Sequence, residues 1–439
     1  MPPPTHTAAK PFDPVEAPAS VAGGAAQSLG KKLLRFAGPG LLVSVGYMDP
    51  GNWATDIESG SRFGYGLLFV VLLASLAAML LQTLCVRLGI VAQKDLARAC
   101  RDHYPRSVNL FLWLGAELAI IACDLAEVLG SALALFLLFG WPITVGIAVT
   151  ALDTLLILAL QGAGFRRIEA IILVLVTTIT GCFVVELALA PPDWAGVALG
   201  FLPSLERLQQ PGALYLAIGI VGATVMPHNL YLHSSIVQNR LQEHSDAGRR
   251  EAIRFSTLDT IFSLSLALLV NAAILILAAS VFHQSGHREV NDIGDAYRLI
   301  EPIVGSTIAA TLFGVALLAA GQSSTFTGTL AGQIVMDGFL DLKIALWQRR
   351  LITRLLALVP AFVGVQWFGE DGIGKMLVLS QVVLSFQLPF AMWPLIRLTS
   401  NPRVMGKFAS GAVTRITAWT LFCVIGGANV WLVVTVLSN

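Results

Sequence analysis

Long apolar stretches separated by short polar connections dominate the chain. Eleven of these stretches are long enough to cross a bilayer as helices, which takes about 20 residues. Their approximate limits are 36–61, 64–90, 107–138, 142–161, 168–190, 213–239, 257–282, 304–336, 352–369, 376–398 and 412–437. The pattern predicts an all-α membrane protein with many spans, which we number in chain order.

Two of the predicted spans contain a polar interruption with a proline in mid-span. The first interruption runs from Tyr47 to Asn52 and the second from Ala223 to Asn229. Proline lacks the amide hydrogen of a helix and clashes with the preceding turn, so each helix should break there. Backbone groups freed in this way are tolerated in a membrane only where protein or a polar cavity surrounds them. The first and sixth spans are therefore predicted to be broken around a cavity at mid-membrane.

The two interruptions also match each other. Each has a side chain with metal-ligand chemistry, then proline, one further residue and asparagine, so Asp49 and Met226 occupy equivalent places. Paired interrupted spans point to the substrate site of a transporter built from inverted repeats. We expect spans one to five, about residues 36–190, and spans six to ten, about 213–398, to be the two repeats. The eleventh span, about 412–437, is then an addition to them.

The composition agrees with this architecture. Of the 439 residues 56% are hydrophobic and 13% are charged, and the net charge of +1 gives no reason to expect a nucleic-acid partner. The five cysteines show no zinc-site spacing. Residues 1–30 are rich in Pro, Ala and Gly and lack the apolar core of a signal peptide. They are predicted to be a disordered tail before a transporter domain at 31–439.

Basic residues predict the orientation in the membrane. They cluster before the first span and after the second, fourth, sixth, eighth and tenth spans, and they are scarce on the alternate connections. Because basic connections stay in the cytoplasm, the N-terminus should be cytoplasmic. An odd number of spans places the C-terminus outside the cell (inner) membrane. Acidic residues on the outer side, such as Asp56 and Glu289, would concentrate cations there.

The two breaks supply ligands for a metal ion. Asp49 offers a carboxylate, Asn52 an amide oxygen and Met226 a thioether. Carbonyls near Gly46 and Ala223 would add further oxygens. One negative charge among neutral oxygens suits a divalent cation, and the sulfur favours Mn²⁺, Fe²⁺ and Cd²⁺ over Mg²⁺ and Ca²⁺.

The third span carries acids that could move protons. Glu117, Asp124 and Glu127 lie within about 80° of one another on a helix, and so share a face. Carboxyl groups inside a membrane can be protonated, which predicts a proton relay. Static ion pairs with buried arginines such as Arg240 or Arg350 are the alternative.

Two histidines follow the second break. His228 and His233 are five residues apart, and therefore on different faces of the resumed helix. Histidine titrates in the physiological range and suits proton coupling. Since His228 lies beside the break, it is the stronger candidate.

At these residues the sequence resembles the Nramp family of proton-coupled divalent metal transporters, in particular its bacterial manganese-transport branch. The resemblance covers nearly everything after the tail. It rests on Asp49-Pro50-Gly51-Asn52, on Met226-Pro227-His228-Asn229 and on the eighth-span motifs between Gly321 and Gln333. Cys123 stands where the family commonly has a small hydroxyl residue.

The resemblance implies a LeuT-like fold and a set of site residues. The metal would be held by Asp49, Asn52, Met226 and the carbonyl of Ala223, joined in some states by a carbonyl near Gly46 and by Gln381. The implied proton route starts at Asp49 or His228. It continues through Glu127 and Asp124 and passes Glu117, Arg240 and Arg350.

We therefore expect a secondary transporter and not an enzyme, importing Mn²⁺, and also Fe²⁺ and Cd²⁺, with protons by alternating access. The ion is the substrate, no cofactor is expected, and no obligatory protein partner is evident beside the lipid bilayer. The sequence has no GxxxxGK[ST] motif, which would have indicated ATP binding. The open alternatives are a magnesium or general divalent carrier, a carrier of amino acids or organic cations, an intramembrane metalloenzyme and a passive channel.

Overall fold

The structure, a computed structural model, describes residue 36 and residues 38–161, 165–241, 243–290, 292–341, 346–369 and 372–438. The predicted tail at 1–30 lies outside the described residues. Within them, nine helical stretches are long and apolar enough to cross a membrane. Helices occupy all eleven predicted segments. The numbers differ because Pro50–Ala92 joins parts of two spans, and Ile143–Leu152 is a shorter apolar stretch of the fourth.

The helices of the spans follow the predicted order. They are Pro39–Gly46 with Pro50–Phe63, Leu68–Ala92, Arg106–Phe139, Ile143–Gln161, Phe165–Leu189, Ala213–Val225 with Pro227–Ile236, Asp246–Ala278, Thr307–Leu340, Leu346–Phe368, Ile373–Thr399 and Ala412–Ser438. Shorter helices lie in the connections at Leu96–His103, Trp194–Gly200, Leu205–Leu208, Ile293–Val304 and Pro402–Met405. The spacing of apolar residues did not predict these connecting helices, because most of them are only one or two turns long.

The first and sixth spans are broken at the predicted prolines. The first helix ends at Gly46 and resumes at Pro50, and the sixth ends just before Met226 and resumes at Pro227. In a continuous helix the amide at each proline position would bond the carbonyl four residues earlier, which is that of Gly46 or Ala223. Proline has no such amide, so both carbonyls lose their helical donor.

The packing of the spans is consistent with two related halves. The third span packs on the tenth and the eighth on the fifth, so exchanging the halves exchanges these two contacts. The third and eighth spans also pack on each other, as do the second and seventh. We infer an exchange of equivalent elements, while the limits of the repeats remain a prediction. The eleventh span packs on the tenth, where Asn429 donates to the Ser385 carbonyl at 2.7 Å.

The seventh span holds the first half of the first span at both ends. At one end, Asp259 Oδ2 accepts a hydrogen bond from the Gly40 amide at 2.7 Å. At the other end, Asn271 Nδ2 donates to the Tyr47 carbonyl at 2.9 Å. Both bonds satisfy backbone groups that the ends of a short helix leave without partners.

We predict that Asn271→Ala destabilises the fold. Asn271 is 1% exposed, and its loss would leave the Tyr47 carbonyl without this donor, at a cost of about 1–3 kcal/mol. Thermal unfolding of the purified protein in detergent should therefore begin at a lower temperature. Ser265→Ala on the same span is the matched control, because that hydroxyl bonds only within its own helix. Equal unfolding temperatures for both variants would contradict this role for Asn271.

Candidate functional site

The two breaks meet in the middle of the structure. Asn229 Nδ2 donates to Met226 Sδ at 3.5 Å, and both groups face Gly46. A Cβ at Gly46 would collide with that amide nitrogen and come within 3.4 Å of the sulfur, so a larger residue there would displace the Asn229 side chain. The end of the first helix thus lies directly against the thioether of the second break.

Buried side-chain oxygens without protein partners surround this junction. Asp49 Oδ1 accepts a hydrogen bond from the Asn52 amide at 2.9 Å and caps the resumed helix. Its second oxygen, Oδ2, has no hydrogen-bond partner among the described residues, and neither have Asn52 Oδ1, Asn229 Oδ1 and Gln381 Oε1. The four side chains are at most 1% exposed. Leaving a buried acceptor unsatisfied is costly, so this set calls for a cation or another donor.

Gln381 brings the tenth span to the first break. Its amide nitrogen lies against Gly51 and donates to Ser380 Oγ at 2.9 Å. With Nε2 bonded in this way, Oε1 is the atom of the side chain without a partner. The predicted residue set is therefore brought together: Gly46, Asp49, Asn52, Ala223, Met226 and Gln381 all lie in or against the two breaks.

The donor set resembles neither a zinc site nor a histidine cluster. The described residues include no group of three or more His, Cys, Asp or Glu side chains placed to hold a metal. What the junction offers is a carboxylate, amide oxygens, a thioether and backbone carbonyls. Such mixed ligands can bind a partly dehydrated divalent ion reversibly, unlike the ligands of a structural metal site.

Two of the three predicted acids of the third span lie side by side. Glu127 and Asp124 both face Gly328 of the eighth span, where a Cβ would come within 3.0 Å and 3.2 Å of their oxygens. Glu127 is 0% exposed and forms an ion pair at 3.7 Å with Arg354 of the ninth span. Arg354 also donates to the Thr150 carbonyl at 3.2 Å.

Cys123 connects the acids to the junction. Its Sγ lies 3.6 Å from Glu127 Oε1 and 3.7 Å from His228 Nε2. His228 follows Pro227 directly, so the contact reaches from the second break to the third span. Asp49 interacts electrostatically with Glu127, which places the first break near the same acid.

Two further residues of the predicted proton route, Arg240 and Glu117, have partners on other side chains. Arg240 pairs with Glu169 of the fifth span at 3.1 Å, and Glu117 accepts from Trp113 Nε1 at 3.1 Å. The side chain of Arg350 lies outside the described residues. The alternative for the third-span acids is static pairing with buried arginines, and one such pair is present. For Glu127 the partner is Arg354.

His233 faces a different neighbour from His228, as their spacing predicts. Its Nδ1 lies 2.9 Å from Gln82 Oε1, and Gln82 Nε2 donates to the Tyr47 hydroxyl at 2.7 Å. All of these side chains are at most 2% exposed. This chain of hydrogen bonds links the first break to the helix that follows the second break.

Sequence reasoning missed the roles of several residues in these contacts. Arg354 belongs to the basic residues that follow the eighth span, but an arginine inside an apolar span also signals a buried partner. Cys123 precedes Glu127 by one helical turn, which is the spacing of two side chains in contact. Gln82 and Asn271 carried the same kind of signal, because each is a polar residue within an apolar span.

Comparison with known proteins decides the family. A family model for natural resistance-associated macrophage protein-like sequences (Nramp) matches residues 40–435. The chain belongs to the Nramp family. The divalent metal cation transporter MntH of Ralstonia nicotianae is 64% identical over 429 residues, which are 98% of this chain and 97% of that protein. MntH 1 of Pseudomonas aeruginosa is 63% identical and covers 97% of each chain. Nramp proteins are metal transporters and not enzymes. The expectation of a transporter is therefore confirmed, and the metalloenzyme alternative is removed.

Solved structures confirm the fold. The Eremococcus coleocola manganese transporter in complex with an aromatic bis-isothiourea substituted compound superposes with a TM-score of 0.87 at 40% identity. That match covers 94% of this chain and 89% of that one. MhsT in complex with L-phenylalanine, at 17% identity, gives a TM-score of 0.59 over 90% of this chain and 97% of its own. This second likeness concerns the fold alone and confirms the predicted LeuT-like architecture for this member of the Nramp family.

Met226 has a strained backbone at the second break. Its φ of 30° and ψ of 102° lie in a region that side chains with a Cβ rarely adopt, at a cost of about 1–3 kcal/mol. We predict that Met226→Gly unfolds at a higher temperature than Met226→Ala, because glycine relieves this strain and alanine does not. Thermal unfolding of both variants without metal is the measurement. An alanine variant as stable as the glycine variant would show that the backbone angle carries no strain.

Proposed function

We propose that the protein imports divalent transition metal ions together with protons by alternating access. Mn²⁺ is the favoured substrate, and Fe²⁺ and Cd²⁺ share its ligand preferences. The observation that carries the proposal is the set of buried, unpartnered oxygens beside the Met226 thioether where the two breaks meet. The relatives named as divalent metal cation transporters and the manganese transporter of similar structure support it.

The ion is proposed to be bound by Asp49, Asn52 and Met226, with the carbonyls of Gly46 and Ala223. Gln381 would join in the states that bring its Oε1 to the ion. Asp49 is the one carboxylate of the set, so one of the ion's two positive charges stays uncompensated by the ligands. This incomplete neutralisation suits a substrate that must leave again.

The thioether gives the site its preference. Mg²⁺ and Ca²⁺ require hard oxygen ligands, whereas transition ions accept sulfur. A carrier of amino acids would instead expose backbone amides to a carboxylate, and Asp49 would repel that group. A magnesium or general divalent carrier remains the alternative that an experiment must separate.

We predict that Met226→Ala loses selectivity more than transport. Mn²⁺ uptake into proteoliposomes should persist in the unmodified protein under an excess of Mg²⁺ and Ca²⁺ and should be blocked in the variant. Met392→Ala, which truncates a buried methionine of the tenth span outside the site, is the matched control. Equal block of Mn²⁺ uptake by Mg²⁺ in the unmodified protein and in Met226→Ala would favour the general carrier.

Asp49→Ala should abolish Mn²⁺ uptake in the same assay, because it removes the only charged ligand of the proposed set.

Protons are proposed to move from the junction to the acids of the third span. His228, Cys123 and Glu127 form a continuous series of contacts of 3.6–3.7 Å. The ion pair with Arg354 gives Glu127 a partner when it is ionised, and Asp124 lies beside it. A proton released when the metal binds could pass along this series toward the cytoplasm. Glu117, His233, Arg240 and Arg350 remain proposed members of the wider route.

We predict that Glu127→Gln uncouples protons from metal. The amide keeps the size of the side chain but cannot exchange a proton, so Mn²⁺ uptake should continue while the accompanying acidification of the vesicle lumen is lost. Asp102→Asn is the control, because that carboxylate is a surface partner of Lys94. Unchanged acidification in Glu127→Gln, measured with a trapped pH dye, would remove Glu127 from the route.

The membrane potential can drive this import without ATP. Each positive charge that moves inward gains about 2.3 kcal/mol per 100 mV of negative-inside potential. We propose a location in the cell (inner) membrane with the N-terminus in the cytoplasm and the C-terminus outside, on the distribution of basic residues. No protein partner is required by this scheme.

A further inference from the structure

Glu186 is a buried acid of the fifth span that the proposed proton route does not use. Its side chain is 1% exposed, and neither carboxyl oxygen has a partner among the described residues. Burying an ionised carboxylate with no partner costs several kcal/mol or more. Glu186 therefore carries a proton in this conformation.

The position of Glu186 gives it access to one side of the membrane. The fifth span ends at Leu189, three residues later, which is about 5 Å along a helix axis. The connection that follows leads to the short helix Trp194–Gly200. On the proposed orientation this side is the outside of the cell.

The elements packed on the fifth span bring few charges to it. They are the first half of the first span and the fourth, seventh and eighth spans. The side chain of Asp153 on the fourth span lies outside the described residues. Of their charges, Asp259 lies at the opposite end, near the pair of Arg240 and Glu169. Among the described residues, Cys182, one turn earlier on the same helix, interacts electrostatically with Glu186.

An unmatched hydrogen-bond donor lies on the helix that touches this face. Phe183, three residues before Glu186 and on the same side of the helix, packs on Trp53 with ring centroids 5.0 Å apart. Trp53 is 0% exposed, and its Nε1 has no acceptor among the described residues. Asp56, one turn further along that helix, interacts electrostatically with Asp49. The Trp53 N–H thus lacks an acceptor and the Glu186 carboxyl group lacks a donor, and both lie beside the contact between Trp53 and Phe183.

We propose that Glu186 is a second proton-binding site, in the outer half of the protein and separate from the Glu127–Arg354 pair. When its O–H bond breaks, the proton passes to water on the outer side and the electron pair stays on the carboxylate. Trp53 Nε1–H then donates to that carboxylate, which requires a shift of the helix Pro50–Phe63. Since the same helix carries Asn52, proton occupancy at Glu186 is linked to the geometry of the metal site. This role in transport rests on the proposed function.

Infrared difference spectroscopy of the full-length protein in lipid tests the proton site directly. Raising the pH should remove a carbonyl band of a protonated carboxylic acid in the unmodified protein. The band should be lost in Glu186→Gln and kept in Glu206→Gln, which changes an exposed acid of the following connection. Trp53→Phe keeps the ring contact but lacks the N–H, so its band should persist to higher pH. An unchanged band in Glu186→Gln would overturn the proposal.

Uptake measurements test the link to transport. Glu186→Gln should still take up Mn²⁺ but lose part of the response of uptake to external pH, while Glu186→Asp and Glu206→Gln should keep that response. A pH response in Glu186→Gln identical to that of the unmodified protein would contradict the link. Failure of the proposed function would look different, because the unmodified protein would then take up no Mn²⁺ while the infrared band would still decide whether Glu186 binds a proton.

Discussion

A membrane offers no water to satisfy backbone groups, and this constraint governs the structure. Two prolines remove the helical donors of the Gly46 and Ala223 carbonyls in the middle of the first and sixth spans. The neighbouring spans compensate for the interruptions. Asn271 donates to the Tyr47 carbonyl, Asp49 caps the helix that resumes, and the two breaks pack directly against each other. Oxygens of Asp49, Asn52, Asn229 and Gln381 beside the breaks nevertheless stay without partners among the described residues.

The remaining unsatisfied oxygens define what this fold can do. They lie beside a thioether, on helices that end within the membrane, so a cation bound there would stabilise both breaks at once. The third and eighth spans pack on each other, and the third span carries Asp124 and Glu127 where it faces Gly328 of the eighth. His228 and Cys123 connect the second break to Glu127. A metal ion bound at the breaks could therefore act on the Glu127 carboxyl group through the side chains of His228 and Cys123.

The breaks could be predicted from the sequence because a proline has unambiguous consequences inside an apolar helix. Asp49, Asn52 and Met226 were proposed as ligands because they are isolated polar or sulfur-bearing residues at those prolines, and the structure places all three at the two breaks. Pairings between distant spans could not be found in the same way. Arg354, one of the basic residues after the eighth span, pairs with Glu127, and Arg240, a candidate partner of the third-span acids, pairs with Glu169. Which arginine reaches which acid depends on how whole helices rotate and pack, and no local pattern encodes that. The same limit hid the unmatched pair of Glu186 and Trp53.

We propose that a transition metal ion binds between the breaks with one sulfur and several oxygens as ligands. X-ray absorption spectroscopy of the Mn²⁺-loaded protein at the manganese edge measures this ligand shell directly. We expect a shell of oxygen ligands with one sulfur scatterer, and we expect the sulfur contribution to disappear in Met226→Ala. A shell of oxygen and nitrogen alone, or one with the signature of histidine rings, would contradict it.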